Sequence, residues 1–286
     1  MSRVRWRWDE KDFGFRFRDG SGKSKSDFYQ ARDPGSFYTI PARHRKLTQE
    51  RVERLAAPPP ATSPRIVPNP WREYDRDFHR IVTDDGILLN YAGCLDREEI
   101  DRREDEGVLR AMEIVTQLVM RSSPEPLTVD LIRRIHAELL GAIYPFAGQW
   151  RTVGLHKGDG PTRWPLPRCG IQPMMDVFQR DVLARSPVIS GSDEDVFAYA
   201  SEVMNEILAI HPFREGNGRT AFIVGNLILM QNDLLPLSLY DRRRDEQRYF
   251  AASDAGRIHK DYLPLAQLIA EWEDAAKKQW QAKHGQ

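Results

Sequence analysis

The sequence predicts a mainly α-helical protein that carries two small β-hairpins. Three observations lead there. From Leu95 onward, segment after segment repeats its apolar residues at three- and four-residue steps. The longest apolar run, AFIVGNLILM at 221–230, suits a buried core helix and is too short to span a bilayer. Strand signals are confined to residues 3–18, which alternate with period two, and to 151–167, where short extended arms flank a glycine turn.

Composition sets the outer bounds. A chain of 286 residues allows one large domain or two smaller ones. With 41% hydrophobic and 29% charged residues it belongs to the soluble globular class. Lys plus Arg total 42 and Asp plus Glu total 42, so bulk charge points to neither nucleic acid nor an anionic membrane as a partner. Cys94 and Cys169 lie far apart and form no CxxC. Neither a disulfide framework nor a zinc site is indicated, and a reducing, cytoplasmic setting is the expectation. The opening MSRVRWRWDEKDF lacks the apolar stretch of a secretory leader.

In chain order, Arg3 to Arg18 alternates on both sides of DEKD and reads as a hairpin with one apolar face. Arginine interleaved with aromatics also grips nucleic acid, but alternation is what any half-buried hairpin requires. DGSGKS at 19–24 fails as a phosphate loop because Phe17 stands where the first glycine is needed. AAPPPATSPRIVPNP at 56–70 is a proline-rich linker or extended arm. It divides an N-terminal extension, 1–70, from a main domain, 71–286. Residues 95–120 gain an apolar stripe at Val108, Met112, Val115 and Leu118, and SSPEP ends that helix. Thr128 is placed to N-cap a helix with Ile132, Ile135, Leu139 and Leu140 on one face. His136 sits among them and reads as a packed core histidine rather than a ligand. Further helices are expected at 171–184, 194–210, 242–256 and 263–280.

The chemistry concentrates in HPFREGNGRTAF, residues 211–222. A helix ends near Ile210 and the next starts near Asn217. Gly216 and Gly218 let the backbone turn tightly and approach a ligand. Free N–H groups and the positive dipole end of the second helix make an anion site. Arg219 in its first turn opposes the dipole, a cost that makes sense if the guanidinium grips phosphate. Glu215 beside an anion site would repel phosphate unless Mg²⁺ lies between them. His211 then serves as general base toward an incoming hydroxyl. An N-capped helix with a glycine entry would explain Gly216, Asn217 and Gly218, but not the histidine, the carboxylate and the arginine at these offsets.

HPFREGNGR matches the HxFx(D/E)GNGR signature of Fic proteins. Its six fixed identities coincide by chance at ~10⁻⁸ per starting position if each residue type is taken at about 5%. IHAELLGAIYPFAGQWRTV resembles the segment before the family's flap, HKGDGPTRWPLP resembles the flap itself, and YFAASDAGRIHKDYLPLAQLI resembles its closing helices. Asn226 falls where many members carry asparagine. The resemblance covers about 95–272 and leaves residues 1–70 out.

It implies a Fic-type helical core and transfer of AMP from ATP to a Ser, Thr or Tyr hydroxyl of a target protein. By that analogy His211 takes the hydroxyl proton, Glu215 holds Mg²⁺, and Gly216, Asn217, Gly218 and Arg219 cradle the phosphates. A flap at Thr162, Arg163 and Trp164 would dock an extended segment of the target by strand addition. Trp164 has the equal alternative of being a packed anchor of the flap.

The signature normally continues to GNGRxxR, and here Phe222 replaces its last arginine. In the family that arginine grips the γ-phosphate and pairs with an inhibitory glutamate from a (S/T)xxxE(G/N) helix. Its loss leaves three routes open: weaker ATP binding, a different donor such as another nucleotide or a phosphocholine compound, or a substitute from Arg242, Arg243 and Arg244. Glu106-Gly107 is the nearest inhibitory-looking pair, with Arg102 at the Ser/Thr position. Control by a separate small partner protein, or none, stays open. So do removal of AMP from a modified protein and a nucleotide-binding module without turnover.

Overall fold

A computed structural model describes residues 6–9, 14–17, 88, 90, 97–121, 123–156, 162–189 and 192–284. The DGSGKS turn, the proline-rich stretch, Cys94 and the flap tip at 157–161 lie outside them. Near the N-terminus β1 (Trp6–Asp9) pairs antiparallel with β2 (Gly14–Phe17), in the register Trp6↔Phe17 and Trp8↔Phe15. This is the hairpin that the alternation predicts.

The remainder is helical apart from one two-residue hairpin. α1 (Arg97–Val119) and α2 (Val129–Leu140) come first. β3 (Leu155–His156) and β4 (Arg163–Trp164) pair antiparallel, with Leu155 opposite Trp164 and His156 opposite Arg163. α3 (Gln172–Asp181) is shorter than expected, because the chain tightens into a 3₁₀ turn at Leu183–Arg185. α4 (Asp193–Ile210) and α5 (Asn217–Gln231) flank the motif loop. The single helix expected at 242–256 is two, α6 (Leu239–Arg244) and α7 (Glu246–His259). The break falls at Asp245, whose carboxylate accepts from Trp272 Nε1 at 2.7 Å and from Arg244 at 2.8 Å. α8 (Leu263–His284) closes the described chain.

Caps and apolar faces explain why these segments fold as they do. Thr128 Oγ1 accepts from Leu131 N–H at 3.0 Å, and Ile132, Ile135, Leu139 and Leu140 of α2 are fully buried. Ser192 caps α4, whose first turn adds Asp193, Glu194 and Asp195 to complement the dipole. α5 is buried at every residue from Thr220 to Met230. Such a helix must sit at the centre, and it packs against α1, α2 and α4. Phe222 lies on this inner helix, 0% exposed, with its ring 6.2 Å from that of Trp272. Asn226, also fully buried, bonds both the N–H and the carbonyl of Leu237, at 2.6 and 3.2 Å. It thereby ties α5 to the segment that leads into α6. Among the described residues no helix is long and apolar enough to cross a membrane.

Candidate active site

The site forms where α4 ends and α5 begins. His211 terminates α4 in the left-handed conformation, φ 51°. Its Nδ1 lies 3.2 Å from the Leu208 carbonyl. A carbonyl can only accept, so Nδ1 carries the hydrogen and Nε2 keeps its lone pair. Trp164 stacks on the imidazole with ring centres 3.8 Å apart and donates its own Nε1–H to the same Leu208 carbonyl at 3.0 Å. Burial pushes the His211 pKa down to about 4, aided by the positive charges of Arg151 and Arg257.

Arg151 ties the flap to this corner. Its guanidinium donates to the carbonyls of His211 (2.7 Å), Val153 (2.6 Å), Trp164 (3.1 Å), Pro165 (3.2 Å) and Ile210 (3.4 Å). The buried cation thus serves the carbonyl-rich end of α4 and both arms of the flap together. Burial lowers its pKa from the ordinary guanidinium value.

The loop between the helices is held just as firmly. Asn217 Oδ1 accepts from Phe213 N–H at 2.8 Å and its Nδ2 donates to the Phe213 carbonyl at 2.7 Å. The Phe213 ring, 0% exposed, stacks on His136 at 3.7 Å. His136 Nδ1 accepts from Gly148 N–H at 2.8 Å, so its Nε2 carries the hydrogen and donates to the Glu215 carbonyl at 2.9 Å. Full burial drives the His136 pKa down to about 3, which keeps the ring neutral. The expectation of a core histidine holds, and its bonds reach the motif backbone.

Gly216 and Gly218 serve different ends. Gly216 has φ +77°, and a Cβ there would come within 2.6 Å of Leu140 Cδ1, so the fold itself demands glycine. At Gly218 the backbone is ordinary, and a Cβ would meet Arg242 Nη1 at 3.6 Å and, beyond its chain neighbours and the helix's own backbone, no other atom of the described residues within 4 Å. Packing does not require a glycine at that position; what it leaves is open space above the helix tip.

That space belongs to two cavities, of about 480 and 370 Å³. Glu215, Gly216, Gly218 and Arg242 line both. The larger adds Glu104, Arg219 and Arg243, and the smaller adds Thr162, Trp164, His211 and Arg257. The first bond along α5 is Thr220 N–H to the Gly216 carbonyl, 2.9 Å, and the N–H groups before it have no acceptor within the helix. Glu215 keeps 44% of its side chain exposed, with Oε1 accepting from Gly216 N–H at 2.9 Å.

Arg219 does not stand open to the cavity. Glu104 of α1 grips it with two oxygens, at 2.5 Å to Nη1 and 3.0 Å to Nη2, and Glu215 adds a contact at 3.3 Å. Burial opposes its charge, but Glu104 and Glu215 outweigh that and hold its pKa above the usual value. Glu106 points elsewhere: it pairs with Arg102 on the exposed side of α1. The carboxylate that reaches the motif is therefore Glu104, two positions before the one that the sequence offers. A signal for it existed, because Glu104, Val108, Met112 and Val115 form one stripe at helical spacing. Arg151 had no such signal.

The structure brings His211, Glu215, Gly216, Gly218, Thr162 and Trp164 to one cavity. Arg163 is exposed on β4. The Asn217 amide is committed to Phe213, so that residue offers the cavity only its backbone. Trp164 is a packed anchor on His211. Among the described residues no cluster of three or more His, Cys, Asp or Glu could hold a metal ion. The part-exposed Glu215 carboxylate fits the single protein ligand of a hydrated Mg²⁺ that relies on phosphate oxygens for the rest.

A helical core with an imidazole and a glycine-entered helix tip facing one cavity is the architecture of the Fic fold. The sequence profile of the Fic/DOC family matches residues 126–229. The "Probable protein adenylyltransferase y4lH" of Sinorhizobium fredii is 36% identical over 142 residues, covering 48% of this chain and 67% of that protein. The "Protein adenylyltransferase Fic" of Nematostella vectensis is 30% identical over 173 residues, covering 60% of this chain and 38% of that protein. This chain thus spans well under half of the Nematostella relative. The crystal structure of the BepC protein from Bartonella tribocorum with bound AMPPNP superposes with a TM-score of 0.52 at 16% identity, over 68% of this chain and 96% of that one. The chain belongs to the Fic/DOC family.

Proposed function

We propose that the chain moves AMP from ATP to a Ser, Thr or Tyr hydroxyl of a target protein. The observation that carries this is the fixed tautomer of His211: Nδ1–H is spent on Leu208, and Nε2 keeps its lone pair in a residue that lines the same cavity as the tip of α5. A neutral imidazole with a pKa near 4 is fully in its base form at pH 7. The names of the relatives and the AMPPNP in the Bartonella structure supply the donor class.

In this reading the target hydroxyl is held against His211 Nε2, which takes its proton as the oxygen attacks the α-phosphorus. The bond from that phosphorus to the bridging oxygen breaks, and pyrophosphate leaves. The backbone N–H groups at the start of α5 bind the phosphate oxygens on which charge gathers. Glu215 would hold Mg²⁺, which neutralises phosphate charge when bound. Thr162 and Arg163 offer the short β4 edge to an extended target segment, while Trp164 and Arg151 keep the base in place.

The test is labelling from α-labelled ATP with Mg²⁺ and a lysate. Label in a protein band that disappears with His211→Ala supports the reading, and equal labelling by the variant refutes it. Phe222 favours a second reading, since its burial against Trp272 leaves no cation at the position of the second motif arginine. A different nucleotidyl or phosphocholine donor would then serve. The mass added to the target separates the two.

A further inference from the structure

Of the two arginines in HPFREGNGR, Arg214 is buried and lines only the smaller cavity, and Arg219 is already gripped by a carboxylate with two oxygens. The next motif arginine is replaced by a buried phenylalanine. Yet the cavities flanking the tip of α5 are open, and one further guanidinium stands between them. Arg242 lines both, and among the described residues, apart from the chain neighbours and the helix's own backbone, its Nη1 is the one atom within 4 Å of where a Cβ on Gly218 would be. Among the described residues no carboxylate pairs with it, whereas Arg244 on the same helix pairs with Asp245 at 2.8 Å.

Arg242 is also well positioned. Its guanidinium carbon lies 5.2 Å over the ring of Tyr249, itself 2% exposed. The approach to α6 is pinned to α5 by the two bonds between Asn226 and Leu237. One rigid frame therefore holds both the helix tip and the arginine that faces it. A polyphosphate lying across Gly218 from the smaller cavity into the larger would meet backbone N–H groups on one side and a planar, two-pronged donor on the other.

We propose that Arg242 is the polyphosphate-binding arginine of this protein: it contacts the phosphates beyond the α-phosphate from α6, a helix outside the motif, in place of the arginine missing at Phe222. This rests on the nucleotide reading above, but it concerns the phosphate chain rather than the base or the transfer.

The test is calorimetric titration of the full chain, in Mg²⁺, with ATP, AMP and inorganic tripolyphosphate. Arg242→Met keeps an apolar stem over Tyr249 and removes the fork; Arg242→Lys keeps the charge; Arg244→Met removes one charge next along the same helix. Arg242→Met should weaken ATP and tripolyphosphate by roughly tenfold to a hundredfold, the range of a charge-assisted hydrogen-bond pair, and leave AMP within about twofold. Arg242→Lys should fall between, and Arg244→Met should match the parent. If Arg242→Met fails to fold, Arg242→Lys carries the same comparison. Unchanged ATP affinity in the Arg242 variants, or an equal loss for AMP, overturns the proposal while leaving AMP transfer standing. Tripolyphosphate binding that needs Arg242 in a protein that ignores ATP upholds it and removes ATP as the donor. A parent chain that binds neither overturns both.

Discussion

The grip of Glu104 on Arg219 makes a prediction with two linked parts. Glu104→Gln keeps the shape of the side chain and removes its charge. In the unliganded protein this leaves Arg219 facing a neutral amide, with only the longer contact to Glu215. Breaking a fully buried ion pair costs roughly 3–5 kcal/mol. Here the partners keep 15% and 19% of their side chains exposed, and Glu215 remains, so a loss of about 2 kcal/mol follows. For a domain of this size that lowers the melting temperature by about 4–8 °C. Triphosphate should gain in the opposite direction. In the parent protein a phosphate must displace Glu104 to reach Arg219; in the variant it need not. The same ~2 kcal/mol then appears as up to about 30-fold tighter ATP binding. Thermal melting without ligand and calorimetry with ATP and Mg²⁺ read the two parts. An unchanged melting temperature with unchanged affinity refutes the competition. So does weaker ATP binding, which would make Glu104 part of the ligand site.

Three further expectations concern the residues around the tip. His136 takes no proton in the folded state until about pH 3, while the unfolded chain takes one near pH 6.5. Its folded pKa is the lower one, so the stability it supports is present above 6.5 and is lost at ~1.4 kcal/mol per pH unit as pH falls toward 3. Denaturant melts at pH 7.5 and 5 should show His136→Gln with a shallower loss than the parent, and equal slopes would discard the assignment. Gly216→Ala should cost at least ~2 kcal/mol, from the left-handed backbone and the Leu140 contact. Gly218→Ala should leave stability within ~1 kcal/mol yet weaken ATP; paired melts and titrations check both, and matching behaviour of the two variants would contradict the division between them. Trp164→Leu uncovers His211, so the acid limb of the labelling rate should move from about pH 4 toward 6.5. A limb that stays put would mean that the indole does not govern the base.

Much of the fold was legible before any coordinates. The cap at Thr128, the stripe on α1, the all-apolar α5 and the two hairpins are local patterns, set by backbone propensity and by which face must be hidden. HPFREGNGR likewise marks the corner where the candidate site forms, because its histidine, two glycines and helix start follow one another directly in the chain. The division of α6 from α7 was not legible, since it depends on Trp272 reaching Asp245 from a distant helix.

The same holds within the site. Nothing local says that the Asn217 amide serves Phe213, that Trp164 covers His211, or that Arg151 gathers the carbonyls around His211. Spacing along the chain names the groups able to do chemistry. Which of them are already engaged, and which still face open space, depends on packing between elements far apart in the chain. Arg242 shows it best: the sequence offers three neighbouring arginines alike, and the fold delivers this one to the helix tip, because α6 is tied to α5 through Asn226 and Leu237.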